Sequence, residues 1–206
     1  MGLIDKLKKR SDPNSTTLSA LVESGDRNFR SGKFRDAIVH YNKALELDPN
    51  NVRALHNKGL AFFGLNKFNK SIEFYDKALK RIPQSLDIKL NKAISLNSLE
   101  KFETAKRLLD EIIMVNPTNK KALNARALSE FKLGLDEEGM NDLKTALTID
   151  PNYVVAWNNL GCFYLGLGNY DEAITCFNKS LTIEPRDYDA FLLKDMAEIR
   201  KEALGK

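Results

Sequence analysis

The chain has 206 residues, 43% apolar and 29% charged, a globular balance that excludes disorder. Of its +4 formal charge, residues 1–17 hold a net +2 through Lys6, Lys8, Lys9 and Arg10 against Asp5 and Asp12. The remainder is too weakly basic for a phosphate-binding face, so nucleic acid is not the expected ligand.

No apolar run approaches the roughly 18 residues of a membrane span. The N-terminal MGLIDKLKKR lacks the apolar stretch of a signal peptide. Lys6 stands where a myristoylation signal wants Ser or Thr. Cys162 and Cys176 form no disulfide framework, and a reducing cytoplasm is the expected compartment.

In chain order, residues 1–17 read as a basic tail. Leu3, Ile4 and Leu7 share a helical face ringed by the four basic residues. A solvated terminus is expected, with weak contact to an anionic surface as the alternative. From residue 18 the chain is periodic. Pro49, Pro83, Pro117, Pro151 and Pro185 each follow the last by 34 residues, which signals a repeat array. Five repeats result: 18–51, 52–85, 86–119, 120–153 and 154–187.

Other residues keep the same step. Small residues stand at Gly25, Gly59, Ala93, Ala127 and Gly161, and again at Ala37, Ser71, Ala105, Gly139 and Ala173. Large ones stand at Tyr41, Tyr75, Leu109, Leu143 and Phe177. Two helices approach closely only where one offers Gly or Ala, and a large side chain fills the remaining gap. In the second repeat Leu55, Leu60, Phe62 and Phe63 lie on a first helix, and Ile72, Tyr75, Ala78 and Leu79 on a second. Each proline ends the second helix, because it lacks an N–H and disfavours helix in the residue before it. Asn50, Asn119 and Asn152 are the candidate N-caps of the helices that follow. A repeat of this size cannot bury its apolar face alone, so neighbours must pack together.

The fifth repeat carries Trp157, Leu160, Gly161, Tyr164, Gly168, Tyr170, Ala173, Phe177 and Pro185 in order. This pattern resembles the tetratricopeptide family, over about 170 residues. The resemblance implies an all-α fold: a right-handed superhelical solenoid of five helix-turn-helix repeats. Its concave groove would be lined by the first helix of each pair. Residues 188–206 read as a capping helix with Phe191, Leu192, Leu193, Met196 and Ala197 on an apolar face. Asp195 sits in a slot that elsewhere holds Gly or Ala, so no further helix is expected to follow, and the helix is expected to solubilise the array's end. The fourth repeat departs from the pattern, with Asp136 in an aromatic slot and Gly139 in an Ala slot. Looser packing of its second helix is expected.

The resemblance places peptide binding in the groove. Its candidate contacts are Asn57, Asn91, Asn124, Asn158 and Asn159, whose amides suit a peptide main chain. Arg53, His56, Lys121 and Lys132 are candidate partners for a carboxylate. Leu60, Phe63, Leu90, Leu128, Phe131, Cys162 and Leu165 lie around them, as apolar contacts or as core between repeats. Chaperone-binding members of the family share a carboxylate clamp. Its best frame here, His56, Leu60, Asn91, Lys121 and Ala125, keeps two of five residues, so binding through that clamp is not expected.

Neither His40 nor His56 has a nucleophile or acid at catalytic spacing. The cysteines have no His at metal-ligand spacing, and no phosphate loop appears. The expectation is a non-enzymatic scaffold or adaptor with no cofactor and no metal, holding a protein or peptide partner. The alternatives are a structural subunit of a homo-oligomer or larger complex, and a targeting module for a separately encoded enzyme.

Overall fold

The computed structural model describes residues 13–205. The expectations for the tail fall on residues 1–12, outside the described residues. The first helix begins at Pro13, so the last residues assigned to that tail are already helical.

The described residues form eleven helices and no strand: α1 (Pro13–Arg30), α2 (Phe34–Leu47), α3 (Val52–Gly64), α4 (Phe68–Leu79), α5 (Leu86–Asn97), α6 (Phe102–Val115), α7 (Lys120–Lys132), α8 (Asp136–Ile149), α9 (Val154–Gly166), α10 (Tyr170–Ile183) and α11 (Tyr188–Ala203). The fold is an all-α helical repeat.

Two kinds of turn alternate. Between the helices of a pair, one residue turns left-handed: Gly32, Asn66, Glu100, Gly134 and Gly168, with φ of 71°, 56°, 58°, 75° and 77°. Gly and Asn tolerate that region, whereas Glu is strained in it. Between pairs, the proline turn leads into a side-chain cap. Asn51, Ser85, Asn119 and Asp187 accept from the N–H three residues on, belonging to Ala54, Ile88, Ala122 and Ala190. Asn119 caps as expected, but Asn51 takes the place assigned to Asn50. The residue after Asn152, Tyr153, stands at the start of α9 with no side-chain cap. Asn152 instead donates its backbone N–H to Asp150 within the turn.

The chain divides into two compact units at Leu99 and Glu100. In the first, Ala37, Tyr41, Ala44, Tyr75 and Ala78 on α2 and α4 are fully buried. A Cβ added at Gly25 would lie 2.3 Å from Tyr41 Cε1, and one at Gly59 2.5 Å from Tyr75 Cε1. The glycines exist to admit these rings. Ser71 and Ser95 meet inside the unit, Oγ to Oγ at 3.0 Å. Ser95 donates to the Asn91 carbonyl, so Ser71 is the donor of the pair.

In the second unit Leu109, Ile112, Leu143, Ala146, Ala173 and Phe177 are fully buried. Gly161 repeats the steric arrangement, with a Cβ there 2.6 Å from Phe177 Cε1. The expected looseness of α8 is absent. A Cβ at Gly139 would meet Phe163 at 2.7 Å and the Ala127 carbonyl at 3.0 Å. Phe163, from the following pair, fills the space the missing methyl leaves, with Phe131 against it at 4.2 Å between centroids. Ala190 and Ala197 seat α11 on α10. Its outer face is not the polar one expected of a cap: Tyr188, Phe191, Leu192 and Ile199 are 78, 58, 63 and 58% exposed.

Candidate functional site

The first helices of the pairs are α1, α3, α5, α7 and α9, and they carry every candidate contact. In the first unit the organiser is Asp26 on α1. Its Oδ1 accepts from the Tyr41 hydroxyl at 2.8 Å and from Asn57 Nδ2 at 2.7 Å, and its Oδ2 accepts from Arg53 at 2.5 Å. Burial, and then this carboxylate, push the Tyr41 phenol well above its ordinary value, so Tyr41 stays protonated and donates.

One step along, Asn91 on α5 meets His56 on α3, amide Nδ2 to ring Nε2 at 2.8 Å. Burial lowers the His56 pKa, which favours neutral imidazole with Nε2 as acceptor and the proton on Nδ1. What His56 keeps for a partner's carboxylate in that state is an Nδ1–H donor rather than a charge.

In the second unit Asn159 on α9 donates to Asn124 Oδ1 on α7 at 2.8 Å. Asn158 donates to Asp187 Oδ2 at 2.6 Å and so ties α9 to the cap of α11. Lys121 is exposed and makes no ion pair among the described residues. Asn57, Asn91 and Asn159 therefore each bridge to the preceding first helix. Asn91 and Asn159 each spend one N–H there and keep a carbonyl and a second N–H to offer, whereas Asn57 also hydrogen-bonds Tyr41. The surrounding apolar residues divide. Leu90 and Leu165 are core, Leu60, Phe63, Phe131 and Cys162 are half-buried, and Leu128 is exposed. Burial raises the Cys162 thiol and, with Glu172 adding, pushes Cys176 to about 11; neither is poised as a thiolate.

Two features escaped the reading of the sequence. Asp26 was passed over because its partners are 15, 27 and 31 residues away. The second is a buried charge cluster. Arg126 on α7 grips Asp142 on α8 through Nε and NH2 at 2.7 and 2.8 Å, and reaches Asp110 on α6 at 2.8 Å. Glu130, one turn on, is 3.6 Å from Arg126 and 3.7 Å from Lys106. Its Oε2 has no partner among the described residues. Burial, and then the Asp142 charge, push Glu130 up to about 7 against the pull of Arg126 and Lys106. The signal was present: Arg126 and Glu130 occupy the slots that hold Leu160 and Tyr164 one repeat later.

Helix pairs in a fixed 34-residue register, each small residue matched to a large one, define a helical-hairpin repeat protein. A family profile described as "TPR repeat" matches residues 25–66, and one described as "Tetratricopeptide repeat" matches residues 52–85 and 154–187. The chain is a tetratricopeptide repeat protein. No curated protein matches it in sequence. Among solved structures it is similar to TTC0263, a thermophilic TPR protein in Thermus thermophilus, at 22% identity and a TM-score of 0.76, covering 88% of this chain and 99% of that one. It is similar to MamA at 25% identity and 0.66, covering 80% and 96%. YrrB, described as a TPR protein with an unusual peptide-binding site, is similar at 19% identity and 0.64, covering 89% and 98%. Among the described residues no helix is long and apolar enough to cross a membrane.

Proposed function

We propose that the chain is a protein-binding scaffold whose first-helix face holds an extended peptide or a helix of a partner. The family supports a protein-interaction module. The observation that carries the finer reading is the set of bridging asparagines, half-buried on α3 and α5 of the first unit and α9 of the second and anchored by one N–H. Anchoring lowers the ordering cost of a contact, so an amide already held in place binds a peptide main chain at less entropic expense than a free one. Lys121 on α7 supplies charge for a partner's carboxylate, and Arg53 on α3, paired to Asp26, keeps an exposed guanidinium for the same use. In this reading Asn158 supports the site through α11. YrrB, similar in fold, is described as having an unusual peptide-binding site, and that description supports the reading.

The test is affinity capture with the wild-type chain and with Arg53→Gln and Lys121→Glu; Lys121 is exposed, and Arg53→Gln removes the guanidinium without placing a like charge beside the Asp26 carboxylate that holds Asn57. Partners retained by wild type and lost from both variants support the face. A second set, Asn57→Ala, Asn91→Ala and Asn159→Ala combined, is run with circular dichroism as a folding control. A folded triple variant that keeps every partner overturns the reading.

One observation favours a second reading, a subunit of a larger assembly: the exposed Tyr188, Phe191, Leu192 and Ile199 on α11 form an apolar patch of the kind that marks interfaces. Light scattering at micromolar concentration discriminates, since a strict monomer removes self-assembly from consideration.

A further inference from the structure

The second unit holds a crevice of about 610 Å³ between α8, α9 and α10, within the range typical of ligand sites. Trp157, Leu160 and Tyr164 on α9 form its ridge, with Leu147 of α8 and Cys176 of α10 beside them. Leu147, Leu160 and Cys176 are buried at the base. The indole is fixed, because Trp157 Nε1 donates to the Pro151 carbonyl at 2.8 Å. At about 100° per residue, Asn159 falls on the far side of α9 from this ridge. The crevice is therefore separate from the first-helix face and does not rest on the reading proposed for it.

The preceding pair shows why the crevice is open. One repeat earlier, Arg126 stands where Leu160 stands, Asp142 where Cys176 stands and Asp110 where Lys144 stands. There the guanidinium fills the space and bonds both carboxylates. Leu160 is too short to do so and has nothing to pair with Lys144.

The rim is charged and unsatisfied. Lys144 on α8 and Glu172 on α10 line the crevice, and neither makes an ion pair among the described residues. Both act on the Cys176 thiol, Glu172 raising and Lys144 lowering its pKa, so they flank the same apolar base. Asp171 is already held by Lys201 at 2.5 Å. The ridge repeats at i, i+3 and i+7, the spacing that meets a facing helix rather than an extended chain.

We propose that this crevice receives an amphipathic helix of a partner protein, with an apolar stripe seated on Trp157, Leu160 and Leu147. A basic residue on one flank would meet Glu172, and an acidic residue on the other would meet Lys144.

Trp157 is the only tryptophan in the chain, so its emission reports this crevice alone. The probe is a tryptophan-free, alanine-based helical peptide with a Leu-Phe-Leu stripe at i, i+3 and i+7, Lys on one flank and Glu on the other. Titrated into the full chain, it is expected to shift Trp157 emission saturably. Leu160→Arg combined with Cys176→Asp and Lys144→Asp, which together rebuild the plug of the preceding repeat, is expected to abolish the shift. Glu172→Lys is a surface change that spares the fold, and it is expected to weaken binding about tenfold. The same variant is expected to bind a peptide with Glu on both flanks about tenfold better than the mixed one. That preference holds whichever way the helix runs. The proposal is overturned if the mixed peptide leaves Trp157 unchanged, or if the preference fails to follow Glu172→Lys. It is overturned equally if only a small apolar dye such as anilinonaphthalene sulfonate binds.

Discussion

Glycine and aromatic act as matched pairs at Gly25 with Tyr41, Gly59 with Tyr75, and Gly161 with Phe177. Adding one methyl at Gly161 drives it into the Phe177 ring, so Gly161→Ala is expected to cost about 2 kcal/mol. Phe177→Leu alone is also expected to destabilise, by leaving a void. Together they recreate the Ala-and-Leu combination of Ala127 and Leu143, and the double variant is expected to recover part of the loss. A double-mutant cycle from urea denaturation measures the coupling. Glu130 gives a residue-scale pH effect. Its carboxyl titrates near 7 when folded against about 4.5 otherwise. Between those values the folded chain holds a proton that the unfolded chain has released. Stability is therefore expected to fall as pH rises through this window, by about 3 kcal/mol in full. Glu130→Gln is expected to flatten that decline and to raise the melting temperature at pH 8, read by thermal melts across pH 5 to 8.

The ends of the helices matter more than their middles. Among the five left-handed turn positions, Glu100 alone is neither Gly nor Asn. Glu100→Gly removes the strain of a side chain in that region but adds chain entropy to the unfolded state, and a net gain of about 0.5 to 1 kcal/mol is expected by denaturant melting. Asn119→Ala removes the cap of α7 and is expected to cost about 1 kcal/mol by the same measurement. Elements of this kind were legible in the sequence because both turns recur every 34 residues, and a period exposes what a single turn hides. What misled was local. Asn50 and Asn51 are chemically equal, and only backbone geometry decides which oxygen reaches the Ala54 N–H. Asp136 and Gly139 looked like a packing fault because the ring that fills the gap, Phe163, comes from the next pair.

At the scale of the molecule, core and face differed in how readable they were. The core follows from size alone: Tyr41, Tyr75, Leu143 and Phe177 sit at one step of the repeat and all are fully buried. The binding face depends on which polar group meets which. That is set by partners about one repeat away, such as Asn91 with His56 and Asn159 with Asn124. Their spacing of 35 residues is not quite the period, so a search for strict periodicity passes over it. Hydrogen exchange belongs to this scale. The amides of α2, α4, α6, α8 and α10, which carry the fully buried stripe, are expected to be the slowest of their units, and those of α11 to open first.

The matched pairs also bear on how such a chain avoids folding wrongly. Repeats alike in length and pattern invite a first helix to dock on the second helix of another repeat, a hazard of repeat arrays. The glycine of α9 against Leu143 would leave a void, and the alanine of α7 against Phe177 would clash. Two interchangeable hairpins thus become distinguishable by a single methyl. Making every pair glycine with an aromatic would leave each hairpin as stable as before while erasing the information that tells α7 from α9 during assembly.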